Sequence, residues 1–170
     1  MYNHEPENYI CPFCRLIQGI KDSRIQSVQS DIIYHDDAVT VFISSGQRPS
    51  NLGNILIAPN EHIENLYDLP EKYGEPMLYA SKMIAMALKA VYHCEGVSTR
   101  QHNEPSGGQD VWHYHLHVTP RYHNDRFYQP DKKLWIVMPV EERAQHAEKI
   151  RQYLAAQAAM RSPAGQKATD

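Results

Sequence analysis

The chain has 170 residues, a formal net charge of −3, 42% hydrophobic and 22% charged residues, which is the profile of one globular domain with enough apolar surface to build a core. The near-balanced charge gives no electrostatic case for a nucleic-acid or anionic-membrane partner, and no apolar run approaches the ~18 residues of a membrane-spanning helix. The opening Met1–Glu7 lacks the basic and apolar regions of a secretory leader, and three cysteines suit a reducing compartment better than a disulfide scaffold, so a cytoplasmic location is expected.

Residues 1–10 are polar and are expected to be free. Cys11 to Gly19 reads as a short helical turn stopped by Gly19. Ser27–Tyr34 and Ala38–Ile43 read as two strands joined at Asp36-Asp37 into a hairpin, and Ser44–Gly53, with its Gly, Pro and Asn, as a loop. Asn54–Pro59 is a short apolar strand. Asp68-Leu69-Pro70-Glu71 resembles a capping box at the head of a long helix whose stripe is Tyr73, Met77, Ala80, Ile84, Leu88 and Val91. Pro76 should kink that helix or delay its start. Val97–Asn103 follows as a strand, Glu104–Asp110 as a Gly-rich loop, and Val111–Pro120 as a strand. Residues 121–138 carry no assignable pattern. Glu141–Met160 is an amphipathic helix with Ala147, Ile150, Leu154 and Ala158 inward, and 161–170 is a small, polar tail. The sum is a single α+β domain over 11–160, an antiparallel sheet with one long helix across it and a second helix at the C-terminus.

Val111–Pro120 is the most informative stretch. His113, His115 and His117 alternate with Trp112, Tyr114, Leu116 and Val118, so on a strand the imidazoles share one face and the apolar residues the other. A rise of ~3.3 Å per residue puts neighbouring histidine Cα atoms roughly 6–7 Å apart and the outer pair roughly 13 Å apart. Neighbours can share a metal ion; all three cannot, so at least one has another role. A metal-binding His-x-His pair accounts for two of them. Nucleophilic catalysis accounts for the pattern differently: an imidazole is mostly neutral at physiological pH and attacks phosphorus if its other nitrogen is held by a fixed acceptor, while neighbours donate to phosphate oxygens or the leaving group. Gly107-Gly108-Gln109 directly upstream suits close approach of backbone N–H groups to phosphate. Cys11-x-x-Cys14 is open to three readings: a redox pair, which lacks the preceding strand such a motif needs; two buried thiols; or half of a tetrahedral zinc site. His62 in isolation is a loop histidine, and His4, His35, His93, His123 and His146 show no partner pattern and are expected at the surface.

His113-Tyr-His115-Leu-His117-Val-Thr resembles the His-φ-His-φ-His-φ-φ signature of the histidine-triad (HIT) superfamily. Cys11-Pro-Phe-Cys14-Arg-Leu-Ile-Gln-Gly19 is similar to the N-terminal motif of its bacterial members, Gly53–His62 to its Gly-His-x-Leu-Val-x-Pro-x-x-His segment, and Gly108-Gln109-x-Val111 and Pro120-Arg121 sit where members carry them. The likeness covers roughly residues 10–125. It implies a HIT-like, usually homodimeric, nucleotide-binding fold that hydrolyses or transfers nucleotidyl groups of dinucleoside polyphosphates, nucleoside phosphoramidates or adenylylated small molecules. It further implies that His115 attacks the α-phosphorus, that His117 binds the phosphate and helps protonate the leaving group, and that Asn103, Gly108 and Gln109 line the phosphate site. In zinc-containing members the ligands correspond to Cys11, Cys14, His62 and His113, a structural site. Three positions depart from the pattern. Asn54 stands where many members have histidine. Ser44 stands where an acidic residue holds the ribose, with a loop about two residues longer. Asp110 replaces Ser or Thr, and at ~5 Å from the α-phosphate it would repel it by roughly 3 kcal/mol at an effective dielectric of ~20. These departures leave room for an alternative, a nucleotide-binding or sensing protein of the same fold with little catalysis.

Overall fold

The computed structural model describes residues 2–129 and 134–161; the expected tail lies outside them except for Arg161, which ends a helix. Ten elements run α1 (Pro12–Ile17), β1 (Ile32–His35), β2 (Val39–Ile43), β3 (Gly46–Gln47), β4 (Ile55–Pro59), α2 (Gly74–Tyr92), β5 (Gly96–Gln101), β6 (Leu116–Arg121), β7 (Ile136–Val137) and α3 (Val140–Arg161). Five strands make an antiparallel sheet in the order β1-β2-β4-β6-β5, and β3 pairs with β7 in a second, two-stranded ribbon.

Every residue of the central strands β2 and β4 is buried, because both faces of the sheet are covered; hence their near-continuous apolar sequences. On one face Val41, Ile43, Ile55, Ile57 and Val118 meet Met77, Ala80, Ile84 and Leu88 of α2 and Ala147 and Ile150 of α3. On the other, Phe42, Leu56 and Ala58 meet Cys11, just before α1, and Phe13 and Leu16 of α1. The second face carries the candidate site.

Several expectations change for local reasons. The strand expected from Ser27 begins only at Ile32, because Gln29–Asp31 forms a 3₁₀ turn whose Asp31 carboxylate accepts from Val28 N–H (2.8 Å) and from Arg143 Nε (3.0 Å). Arg143 is fully buried and also donates to the carbonyls of Met138 and Gln26, which ties α3 to this turn. The hairpin at Asp36 forms as expected, its carboxylate accepting from the N–H groups of Ala38 and Val39 at 2.8 Å. The capping start at Asp68 gives way to a 3₁₀ turn over Glu71–Tyr73, and α2 begins at Gly74. Pro76 then falls in the first turn, where its missing N–H would be unpaired anyway, so the start is delayed rather than kinked. Ala158, expected inward, is exposed and lines an open groove between α2 and α3. His146 is not a surface residue: it is half-buried and stacked on Tyr92, with centroids 5.7 Å apart. Residues 2–10, expected to be free, lie against the loop after β4. There the Glu64 carboxylate accepts from the N–H groups of His4 and Glu5, and Asn65 donates to Asn3.

The loop expected over 44–53 contains β3, and the unassigned stretch 121–138 contains β7 that pairs with it, Gly46 opposite Val137 and Gln47 opposite Ile136. Between β6 and β7, Asp125 organises the chain. It accepts from Arg121 Nε (2.6 Å) and Nη2 (2.9 Å), Asn51 Nδ2 (2.8 Å), and the N–H groups of Tyr122 (3.1 Å) and Phe127 (3.0 Å). The Arg121 hydrogen bonds, chiefly, hold its carboxyl well below the ordinary carboxylate range. A depressed folded-state value means the contribution is complete above the usual carboxylate pKa of ~4 and is lost as pH falls below it. Asp125→Asn is expected to lower stability at neutral pH by about 2 kcal/mol in urea unfolding, and the gap from wild type should narrow as pH drops below ~4; a pH-independent gap would mean that the charge is irrelevant.

Candidate active site

Strand register builds the site. Phe42 lies opposite Leu56, Leu56 opposite His117, and His117 opposite Arg100, so one row crosses four strands on the α1 face and ends in an imidazole and a guanidinium side by side. The expected ten-residue histidine strand is shorter: β6 is paired only from Leu116 onward. Upstream of Leu116 neither β4 nor β5 offers a ladder partner, and other hydrogen bonds replace it. Tyr114 N–H donates to the Ile63 carbonyl (2.6 Å), and His115 Nδ1 lies 2.7 Å from the His113 carbonyl. The alternation of faces persists, with Tyr114 and Val118 in the helix-side core and His113 and His115 against Phe13, whose ring meets both edge-on at 5.7 and 5.1 Å.

A carbonyl only accepts, so His115 carries its proton on Nδ1 and presents the Nε2 lone pair. The residue is 4% exposed, and burial pushes its pKa down to about 4, which keeps it neutral across physiological pH. His117, its ring 5.0 Å from that of His115, is likewise held well below the usual histidine value, first by burial and then by His115, His102 and Arg100.

Cys11, Cys14, His62 and His113 converge so that one donor atom from each lies within 4.8 Å of all the others. Cys11 is the N-cap of α1 and Cys14 lies in its first turn. Cys11 Sγ is 3.2 Å from His113 Nδ1, and Cys14 Sγ is 3.2 Å from His62 Nδ1 and 3.6 Å from His113 Nδ1. Tetrahedral bonds of ~2.3 Å to sulfur and ~2.0 Å to nitrogen require S···N edges of about 3.5 Å. The outward nitrogens are also prepared. His113 Nε2 is 2.9 Å from the Pro59 carbonyl and His62 Nε2 is 2.6 Å from the Glu5 carboxylate, the outer hydrogen bonds that fix a ligating imidazole with its other lone pair inward. Cys14 titrates below and Cys11 above the ordinary thiol range, in each case chiefly through the hydrogen bond between them. The donor set fits a closed, four-coordinate metal site.

Beside His117 a cavity of about 350 Å³ is lined by Asn54, Arg100, His102, Gly108, Asp110, His117, Thr119, Phe127 and Trp135. A larger groove of about 430 Å³ between α2 and α3 lies on the helix side, is lined by Tyr79, Met83, Met86 and Leu154 among others, and contains no triad residue. Gly108 has φ +88°, and a Cβ there would sit 3.3 Å from His102 Nδ1, so the loop closes on His102 only with glycine. Glu104 has φ 61° and ψ 162°, a conformation that costs a non-glycine residue on the order of 1–3 kcal/mol. The loop imposes it: Gln109 Oε1 accepts from Glu104 N–H (2.8 Å), and the Glu104 carbonyl accepts from the N–H groups of Gly107 and Gln109.

Of the residues expected around phosphate, Gly108 and His117 line the cavity. Gln109 is 5% exposed, and its amide donates to the carbonyls of Glu64 (2.6 Å) and Val111 (3.2 Å). Asn103 accepts from Leu66 N–H and exchanges hydrogen bonds with Gln101. Both hold loops rather than line the cavity. Asn54 is buried, accepts from Thr119 Oγ1 (2.9 Å) and brings Nδ2 to 3.5 Å from His117 Nδ1, the side from which it can steady that ring. Ser44 is buried beside the β3 turn, where its carbonyl accepts from Gln47. Asp110 lines the cavity, as its departure from the pattern made important. Arg100, His102, Phe127, Trp135 and Glu5 were not anticipated. The alternation of Val97–Asn103 already put Arg100 and His102 on one face, but only the register with β6 puts that face beside His117.

A HIT domain profile matches residues 26–124. The chain is 33% identical to Protein hit of Bacillus subtilis over 119 residues, 70% of this chain and 74% of that protein. It is 33% identical to the purine nucleoside phosphoramidase of Escherichia coli over 103 residues, 55% of this chain and 77% of that one. A zinc-bound histidine triad family protein from Mycobacterium smegmatis superposes with a TM-score of 0.66 at 25% identity, covering 88% of this chain and 96% of that one. This is an α+β protein with an antiparallel sheet, a long helix and a C-terminal helix. It belongs to the HIT domain family. Among the described residues, no helix is long and apolar enough to cross a membrane.

The hydrogen bonds of Gln109 assign it to the loop's shape. Gln109→Ala is expected to cost about 2 kcal/mol in urea unfolding by releasing Glu104 and leaving buried partners unmet. Unchanged stability with weakened nucleotide binding would instead assign it to phosphate.

Proposed function

We propose that the protein is a nucleotide-binding hydrolase or nucleotidyl transferase acting at the α-phosphorus of a nucleoside phosphate derivative. The observation that carries this reading is His115, whose Nδ1 is held at 2.7 Å by the His113 carbonyl so that Nε2 is the free nucleophile. Nε2 of His115 attacks phosphorus and forms a P–N bond. The bond from phosphorus to the leaving group breaks, its electron pair going to the leaving atom, which takes a proton from His117. Burial, and after it the charges of His115, His102 and Arg100, keep His117 unprotonated in the free site; the substrate's phosphate anion would offset both, so His117 enters the complex as proton donor. Water then attacks phosphorus, gives its proton back to His117, and releases His115 and the nucleoside monophosphate; an alternative acceptor in place of water makes the reaction a transfer. The E. coli relative, named a purine nucleoside phosphoramidase, supports this class of reaction.

Asp110 on the cavity wall favours a second reading, a nucleotide-binding protein of this fold with weak catalysis. One experiment separates them. A substrate labelled in the α-phosphate should leave acid-labile label on the wild type, and His115→Asn should lose both the label and at least ~10³-fold of the rate. Label persisting in His115→Asn excludes this nucleophile. Saturable nucleotide binding with equal rates in both proteins selects the second reading.

Cys11, Cys14, His62 and His113 would hold one structural zinc ion, as the zinc-bound M. smegmatis relative also suggests. Four protein ligands leave no open position for water, so the ion would supply cross-linking between α1, the loop after β4 and the approach to β6 rather than chemistry. Metal analysis is expected to find one zinc per chain. Cys14→Ser should lower zinc content and cost about 3–5 kcal/mol together, since binding energy at such a site is folding energy; a metal-free protein of full stability would refute the assignment.

A further inference from the structure

The wall of the cavity beside His117 is built from residues outside the triad motif, and its charge is uneven. Arg100 is the cross-strand partner of His117. Its Nη2 lies 3.2 Å from His102 Nε2, while His102 Nδ1 is 2.7 Å from the Gly107 carbonyl. That pair of contacts fixes His102 as an acceptor toward Arg100, and so orients the guanidinium. Among the described residues no carboxylate pairs with Arg100. Next to it stand two aromatic rings, Phe127 and Trp135, the latter 43% exposed. Behind them Arg48, itself 7% exposed, places its guanidinium 5.2 Å from the Phe127 ring centre and 5.4 Å from that of Trp135. Its Nη groups reach the carbonyls of Arg126 and Gln129, and its buried Nε has no hydrogen-bond partner among the described residues. Two guanidiniums without carboxylate partners there therefore back one aromatic wall on the His117 side. The cavity wall also carries one carboxylate, Asp110, and Arg100 is the cationic side chain placed directly across the ladder from His117. Arg100 thus puts positive charge on the side of the proposed proton donor.

We propose that Arg100, oriented by His102, and Trp135 form a leaving-group subsite that selects substrates whose leaving group carries an anion next to a planar apolar part. The proposal rests on the nucleotidyl reading of His115 and His117, because it is His117 that would mark the leaving-group side. Arg100 reads the anion, a carboxylate or a phosphate, through charge-assisted hydrogen bonds, and the exposed Trp135 ring stacks on the planar part. A cavity of about 350 Å³ is at the small end of ligand pockets and suits one such group rather than an extended chain.

The test uses substrates that share the adenosine 5′-phosphoryl half: the phosphoramidates of tryptophan and of tryptophanamide, which differ by one charge, the unsubstituted phosphoramidate, which leaves as ammonia, and diadenosine triphosphate, which presents a phosphate. Wild type is expected to prefer the tryptophan acid over its amide by about 10- to 100-fold in kcat/KM, and Arg100→Gln to shrink that ratio to within about 3-fold, with Arg100→Lys intermediate. A selective loss on diadenosine triphosphate, with no acid-over-amide ratio, would identify phosphate as the anion that Arg100 reads. Trp135→Ala, at an exposed position, should raise KM for the aromatic leaving groups relative to the ammonia substrate, and it keeps the subsite testable if Arg100→Gln does not fold. Equal effects of Arg100→Gln on acid, amide and triphosphate, or none on any, overturn the subsite while turnover itself survives. No turnover of any of the four by wild type overturns the nucleotidyl reading, and the subsite with it.

Discussion

His113 holds the arrangement together. It is fully buried, and each of its polar groups meets a different partner. Nδ1 faces the Cys11 and Cys14 sulfurs, Nε2 is 2.9 Å from the Pro59 carbonyl, and its own carbonyl is 2.7 Å from His115 Nδ1. Strand pairing cannot position this stretch, because the ladder of β6 begins only at Leu116. The cysteine–histidine cluster and the Pro59 contact do it instead, and the orientation of His115 follows from where the His113 carbonyl is left pointing. Stability at the N-terminus and geometry at the proposed nucleophile are therefore coupled through one residue.

Burial sets the chemistry of the next two histidines. An imidazole removed from water resists protonation, so His115 and His117 both stay neutral in the free site. For His115 that state is the one a nucleophile requires. For His117, the proposed proton donor, a bound anion would have to offset burial first and then the charges of His115, His102 and Arg100. Arg100, opposite His117 across the β5–β6 ladder, favours negative charge beside that ring.

Much of the site was legible because its chemistry is carried by short-range patterns. Cys-x-x-Cys and the triad are visible as residue types at fixed spacing, alternation specifies which side chains share a face, and the resemblance to HIT proteins is what joined His62 and His113 to the two cysteines. What was not legible depends on register and on distant partners. Arg100 gains its meaning only from lying opposite His117. Phe127 and Trp135 reach the cavity because Asp125 gathers Arg121, Asn51 and the backbone of Tyr122 and Phe127, and because β7 pairs with β3. Glu5 belongs to a segment whose composition gives no reason to expect order; it is placed by the Glu64 carboxylate and by His62.

Local sequence was sufficient for the α+β class, the hairpin at Asp36 and the long helix, whose start Pro76 left open between a kink and a delay, since each is set by periodicity or turn chemistry within a few positions; the set of four metal-type donors came from the resemblance to HIT proteins. Tertiary structure decided how the three histidines divide their work. A strand of ten residues would have treated them alike; a ladder that begins at Leu116 instead leaves His113 to the sulfurs, turns His115 on the His113 carbonyl, and sets His117 beside Arg100. Those differences arise from where neighbouring strands end and from which buried carbonyls need donors, and neither quantity is written in the spacing of the residues themselves.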